Sequence, residues 1–164
     1  MRTILLLFVL SLAAQGSEYS RHIRFVVEQL RQIEDLDRKL PFIGGAAVGY
    51  AGEPGTFFLL YPFFEHRASL EDIRAMLADK SPAVRLMGAK LVLHSDRFGD
   101  LTKQVDLLLK DESIVILAEW GCVIERVSVA EVVRRMKADV NFLGDNPKDK
   151  EPISVSPPPF EPKK

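Results

Sequence analysis

Apolar residues recur at helical spacing over much of this chain. Ile23, Val26, Val27, Leu30, Ile33 and Leu36 share one side of a helical repeat, and Arg24, Glu28, Arg31 and Glu34 occupy the others. The pattern predicts a first helix ending by Pro41, because the residue before a proline is pushed out of the helical region. A glycine-rich stretch follows from Gly44 to Gly55, and then an aromatic run from Phe57 to Phe64. That run is apolar on nearly every side. It reads as a buried helix interrupted near Pro62, with a buried strand as the alternative.

Beyond Arg67 the helix signals become regular. Ser69 followed by Asp72 has the form of a capping box, and Leu70, Ile73, Met76 and Leu77 then make one apolar face. Ser81-Pro82 reads as a cap followed by proline at the first helical position. Val84, Leu86, Met87, Leu91 and Val92 carry that helix to Ser95. Ser128 and Glu131 form another capping box, opening a last helix through Val132, Val133 and Met136. No strand alternation of comparable length is visible, so the predicted class is all-α.

Shifting the chain on itself by about 32 residues superposes two predicted helix pairs. Ile73, Met76 and Leu77 fall on Val105, Leu108 and Leu109; Asp79 falls on Asp111, Ser81 on Ser113, Val84 on Ile116 and Ala89 on Gly121. Helix pairs recurring at such a period mark a solenoid, in which each unit buries its face against the next. The stretch from Leu70 to Arg97, through Leu77-Ala78-Asp79-Lys80-Ser81-Pro82-Ala83-Val84-Arg85, resembles a short HEAT repeat. The resemblance implies a short α-solenoid of HEAT-like hairpins over 69–143, with 17–68 as an N-terminal helical cap. It also implies that Asp79, Arg85 and Asp111 are structural repeat positions that lock helices and neighbouring units. The second copy has Leu117 where the arginine belongs, so the ladder is expected to break there.

The two ends are of different material. Arg2 precedes an apolar run from Ile4 to Ala14, and Ala14-Gln15-Gly16 places small residues where a signal peptidase reads. The run is shorter than the roughly 20 residues needed to cross a bilayer. Residues 1–16 are therefore expected to be a cleaved signal peptide, with export to the periplasm or beyond and no stable membrane insertion afterwards. Residues 144–164 carry six prolines among lysines, acids and serines, the composition of a disordered tail.

Charge and cysteine usage narrow the partners. Removing Arg2 with the leader takes the 22 basic residues to 21 against 23 acidic ones. That balance, without a basic block, argues against nucleic acid. Cys122 is the single cysteine, so the domain has no internal disulfide, and its apolar neighbours suggest a buried, inert thiol.

Candidate chemistry is sparse. Gly49, Gly52 and Gly55 lack the spacing of a phosphate-binding loop, and no Gly-Lys-Ser/Thr follows. His22, His66 and His94 are scattered, without the clustering of metal ligands. Glu65-His66 reads as a helix end rather than a catalytic pair. Trp120 and the aromatic run read as core, and Arg134, Arg135 and Lys137 as a solvated face. No catalytic, cofactor-binding or metal residue is assigned. The expected function is an exported, non-catalytic interaction module for another envelope or secreted protein, an inhibitor or immunity-type partner being one form of it. The alternative is an exported enzyme or small-ligand-binding protein that uses the Gly44–Gly55 loop.

Overall fold

A computed structural model describes residues 19–33, 39–48, 52–139 and 142–144. The expected leader, and all of the expected tail except Gly144, lie outside the described residues. In chain order the elements are α1 (Arg21–Arg31), β1 (Phe42–Val48), α2 (Thr56–Arg67), α3 (Leu70–Leu77), α4 (Pro82–His94), α5 (Thr102–Leu107), β2 (Ile114–Gly121), β3 (Glu125–Ser128) and α6 (Val129–Ala138). Short 3-10 turns, Gly99–Leu101 and Leu108–Lys110, flank α5. Among the described residues, no helix is long and apolar enough to cross a membrane.

The all-α solenoid is thereby corrected: the fold is α/β, with six α-helices among the described residues and a three-stranded mixed sheet of order β1-β2-β3. β1 and β2 run parallel, with Ile43 opposite Leu117 and Gly44 opposite Ala118; β2 and β3 are antiparallel, with Val115 opposite Val127. The first helical hairpin of the expected repeat, α3 and α4, is present. In the second copy the leading helix is short (α5), and the stretch expected as its partner is β2. Three successive β-branched residues, Ile114, Val115 and Ile116, follow Ser113, where the first copy has proline, alanine and valine after Ser81. Side chains branched at Cβ are stiff in a helix and pack well on a pleated surface.

Two of the three overlooked strands, β1 and β2, are buried without alternation. Val115, Ile116, Leu117 and Ala118 are all buried, as are Ile43, Gly44 and Gly45 in succession. A strand covered on both faces gives a continuous apolar run, which periodicity does not separate from a buried helix. The glycines of β1 have a packing role. A Cβ on Gly45 would lie 2.5 Å from the Glu119 carbonyl oxygen, and one on Gly55 would lie 2.7 Å from the Gly44 Cα. Backbones meet there, and the Gly55 amide donates to the Gly45 carbonyl at 2.9 Å.

Around the sheet, each helix has a sequence reason. α1 buries Ile23, Val27 and Leu30 as the spacing predicted. The aromatic run is a helix, α2, burying Phe57, Tyr61 and Phe64; the expected interruption near Pro62 is corrected, since the helix continues through that residue, which lies on its exposed side. α3 opens with both halves of the capping box: the Asp72 amide donates to Ser69 Oγ at 3.1 Å and the Ser69 amide to Asp72 Oδ2 at 3.0 Å. At α4, Pro82 opens the helix but the Ser81 hydroxyl caps nothing. Every residue of α4 from Leu86 to Val92 is buried, since α1, α2, α3, α6 and β2 all pack on it. α6 keeps half of its expected box, the Glu131 amide donating to Ser128 Oγ at 3.2 Å.

If backbone contact is the reason for glycine in β1, Gly45→Ala should cost about 2 kcal/mol or more through overpacking. Gly99→Ala, whose Cβ would meet nothing within 4 Å, should stay within about 0.5 kcal/mol of the wild type. Urea unfolding midpoints measure both, and equal values for the two variants would remove the packing explanation.

Candidate functional site

Three groups of polar side chains organise the molecule, and they differ in what they can do. The first contains the repeat positions read from the sequence. Asp79 follows α3, and its side chain is 1% exposed. It receives Arg31 of α1 (Nε to Oδ1 at 3.3 Å, Nη2 to Oδ2 at 2.5 Å), the Tyr19 hydroxyl at 2.7 Å and the Ser81 amide at 2.8 Å. Arg85, one turn into α4, reaches forward to Asp111 Oδ2 at 2.7 Å and Ser113 Oγ at 3.0 Å, and back to the carbonyls of Asp79 and Lys80. Asp111 folds its own turn as Asp79 does, accepting from the Ser113 amide at 3.0 Å. The three positions thus join as a relay, Arg31 to Asp79 and Arg85 to Asp111. Where a third arginine would continue it, Leu117 is buried in β2.

Burial would raise the carboxyls of Asp72, Asp79 and Asp111, but hydrogen bonds outweigh it. At Asp72 the donors are the amides and hydroxyls of Ser20 and Ser69; at Asp79 they are Arg31, the Ser81 amide and Tyr19; at Asp111 they are Ser113 and Arg85. All three are held below the usual carboxylate range. This group fastens elements together, and its donors and acceptors face one another.

The second group lies inside. Lys90 is fully buried in the middle of α4; its Nζ donates to the Phe142 carbonyl at 3.1 Å and sits 5.5 Å from the centre of the Tyr61 ring. Tyr61 donates to Glu65 at 3.2 Å, and burial together with Glu65 pushes its phenol up. Glu65 and His66 therefore diverge: His66 Nδ1 meets the Pro62 carbonyl at 2.7 Å. His22 Nε2 meets the Arg67 carbonyl at 3.3 Å, and His94 Nε2 the Met136 carbonyl at 3.2 Å. Among the described residues, no group of histidines, cysteines or acids is arranged to hold a metal ion.

The third group is at the surface, where β2 turns into β3. Arg135 of α6 reaches Glu119 of β2 at 2.9 Å, Glu131 of its own helix at 3.1 Å, and Glu125 of β3. The guanidinium draws Glu125 below its ordinary value. Glu119, Val123, Glu125 and Arg135 line an open cleft of about 240 Å³. The turn beside it carries Val123 and Ile124, 74% and 45% exposed, and an exposed free Cys122. The expectation of a buried thiol is corrected, since Cys122 lies past the end of the apolar strand. So is the reading of Arg135 as part of a solvated face, because it ties α6 to both strands. Lys137 likewise pairs with Asp106 at 2.6 Å.

Sequence reasoning missed Glu119, Val123, Ile124, Glu125 and Arg135 as one group, because a helical reading of 114–121 hides the hairpin that gathers them. The Glu131–Arg135 spacing of four was visible. Lys90 was missed too, although one cation between Ala89 and Leu91 on an apolar helix is itself a signal. Compared with known proteins, the chain matches no family model, and no curated protein matches it.

Replacing Arg31 by leucine leaves the buried Asp79 without its cation and should cost about 3 kcal/mol in thermal or urea unfolding. The carboxyls held low give stability that is complete above the unfolded aspartate value of about 4 and is lost as pH falls through their lower folded values. Asp79→Asn should therefore flatten part of the acid limb of the stability profile. An unchanged limb would mean that Asp79 is not held low.

Proposed function

We propose that the chain is an exported, non-catalytic interaction module that presents the β2–β3 turn and its cleft to another envelope or secreted protein. The observation that carries this reading is the pairing of a protruding aliphatic tip, Val123 and Ile124, with a charged cleft at its base. Water is displaced cheaply from the tip, and Glu119, Glu125 and Arg135 supply direction. Arg135 also binds three carboxylates from three elements, so the surface is set before a partner arrives and little side-chain entropy is lost on contact. The α3–α4 hairpin, with its Asp79 and Arg85 turn, we read as a single HEAT-like unit supporting this surface.

The rival reading placed a ligand at the Gly44–Gly55 loop. Gly44, Gly45 and Gly55 are spent on backbone contacts, which takes away the main reason for it. The cleft found instead is open and shallow, with one cation already neutralised by carboxylates, and this favours a protein surface over a small-molecule pocket.

The test is crosslinked capture from the cell envelope using the mature protein and a Val123→Asp/Ile124→Asp variant side by side. The variant should lose a stoichiometric partner by about tenfold or more while its melting temperature stays close to wild type. Equal recovery of the same partner by both proteins would place the interface elsewhere.

A further inference from the structure

The sheet has two edges, and they are finished differently. Along β1 the chain closes the edge itself. The Phe42 amide donates to the Ile33 carbonyl at 3.1 Å, the Gly55 amide to the Gly45 carbonyl at 2.9 Å, and the Val48 amide to the Glu53 carbonyl at 2.8 Å. The other edge is β3.

The direction of the β3 backbone follows from β2. The Ile116 amide donates to the Pro41 carbonyl, on the β1 side, at 2.8 Å. Both backbone polar groups of a strand residue point the same way, so Ile116 turns away from Arg126, its partner on β3. Arg126 in turn directs its N–H and C=O outward from the sheet. Val129, of the opposite parity, donates inward to the Ser113 carbonyl at 2.9 Å. Arg126 is exposed, and among the described residues no backbone group meets it on the outer side and no carboxylate pairs with its side chain.

An open edge is a template for another strand, and charge on it discourages unselective pairing. Side chains alternate along β3, which gives the edge two different faces. Glu125 and Val127 share the face towards α6, where Glu125 meets Arg135. There Glu119, Glu125 and Glu131 surround Arg135, and Arg134 also pairs with Glu131, so that face is net negative. The opposite face carries the positive Arg126.

We propose that the partner protein adds to β3 as an extended strand, with an acidic residue opposite Arg126 and a basic residue at the next position, over Glu125 and Glu119. The proposal rests on the reading of the β2–β3 turn as an interaction surface, which β3 continues through Ile124. Main-chain bonds to Arg126 supply affinity in such an arrangement, and the alternating side chains supply selection. A second copy of this chain is the poorer occupant. Outward residues must meet outward residues, so two-fold pairing along β3 sets Arg126 against its own copy or Glu125 against its own copy. Like charges directly opposite are destabilising.

Two synthetic peptides test this, Thr-Val-Lys-Glu-Lys-Val-Thr and its charge-exchanged form Thr-Val-Glu-Lys-Glu-Val-Thr, both with blocked ends. Each reads the same in either direction, so strand direction does not enter. Amide exchange of the labelled mature chain is followed by NMR. With the first peptide at about four times its Kd, Arg126 exchange should slow about fivefold, because only the free fraction exchanges. The charge-exchanged peptide at the same concentration should slow it by less than about twofold. Arg126→Pro removes the outward N–H and no bond to β2. It should abolish binding of the first peptide while the Val115 and Val127 amides stay protected. Arg126→Gln keeps the backbone donor and should weaken the first peptide by no more than about fivefold. Arg126 exchange that neither peptide slows, equal slowing by both, or binding by Arg126→Pro at wild-type strength would each overturn strand addition. The Val123→Asp/Ile124→Asp capture judges the turn and the Arg126 amide judges the strand, so the two readings fail separately.

Discussion

The arginine–aspartate relay is the interaction on which the rest of the structure depends. Asp79 and Asp111 each close a turn onto their own backbone, at Ser81 and Ser113, and each then receives a guanidinium from an earlier helix, Arg31 of α1 and Arg85 of α4. A buried carboxylate costs several kcal/mol unless it is paired and hydrogen-bonded. At Asp79 both oxygens are used, by two side chains from the N-terminal segment and one backbone amide. The cost of burial becomes a constraint on geometry, because α1 satisfies Asp79 only in one position. Arg85 does the same for the turn that launches β2. The register of that strand against β1 is thus tied to the α3–α4 hairpin.

From that turn onward local preference decides the outcome. Two nearly equivalent turns lead to a helix in one case and a strand in the other. After Ser81, proline opens α4; after Ser113, three β-branched residues enter the sheet. Parallel strands need a long crossover connection, and α2 through α5 supply it between β1 and β2. α4, buried on all sides, packs against the sheet through β2 and is enclosed by the other helices. The glycines of β1 and Gly55 allow the start of α2 to lie against the sheet at backbone distance. The relay therefore ends in a sheet where a repeat would have continued, and buried Leu117 stands in place of the next arginine.

What could be read from the residues alone follows from the kind of signal each element emits. One-sided helices announce themselves, so α1 and α3 and the capping boxes at Ser69 and Ser128 were visible, the second in part. Asp79, Arg85 and Asp111 were visible as positions, though their partners were not, because Arg31 lies 48 residues before Asp79 and no short-range pattern connects them. β1 and β2 are covered on both faces and carry no alternation, which is why a helical reading absorbed them. Once 114–121 is misread, Cys122 is placed in the core and Arg135 in solvent. Both errors thus come from one missed strand.

The two remaining charged groups illustrate how position sets role. Arg135 and Lys90 are each a cation on a helix, yet their surroundings differ. Arg135 is 30% exposed and balanced by three carboxylates, so its charge is secure at any pH the fold survives. It can organise a surface without responding to conditions. Lys90 is fully buried, bonded to the Phe142 carbonyl, and burial pushes its ammonium down to about 7. The two cations thus use the same chemistry at opposite ends of the solvation scale. They are linked through α6, which carries Arg135 on one side and offers the Met136 carbonyl to His94 on the other.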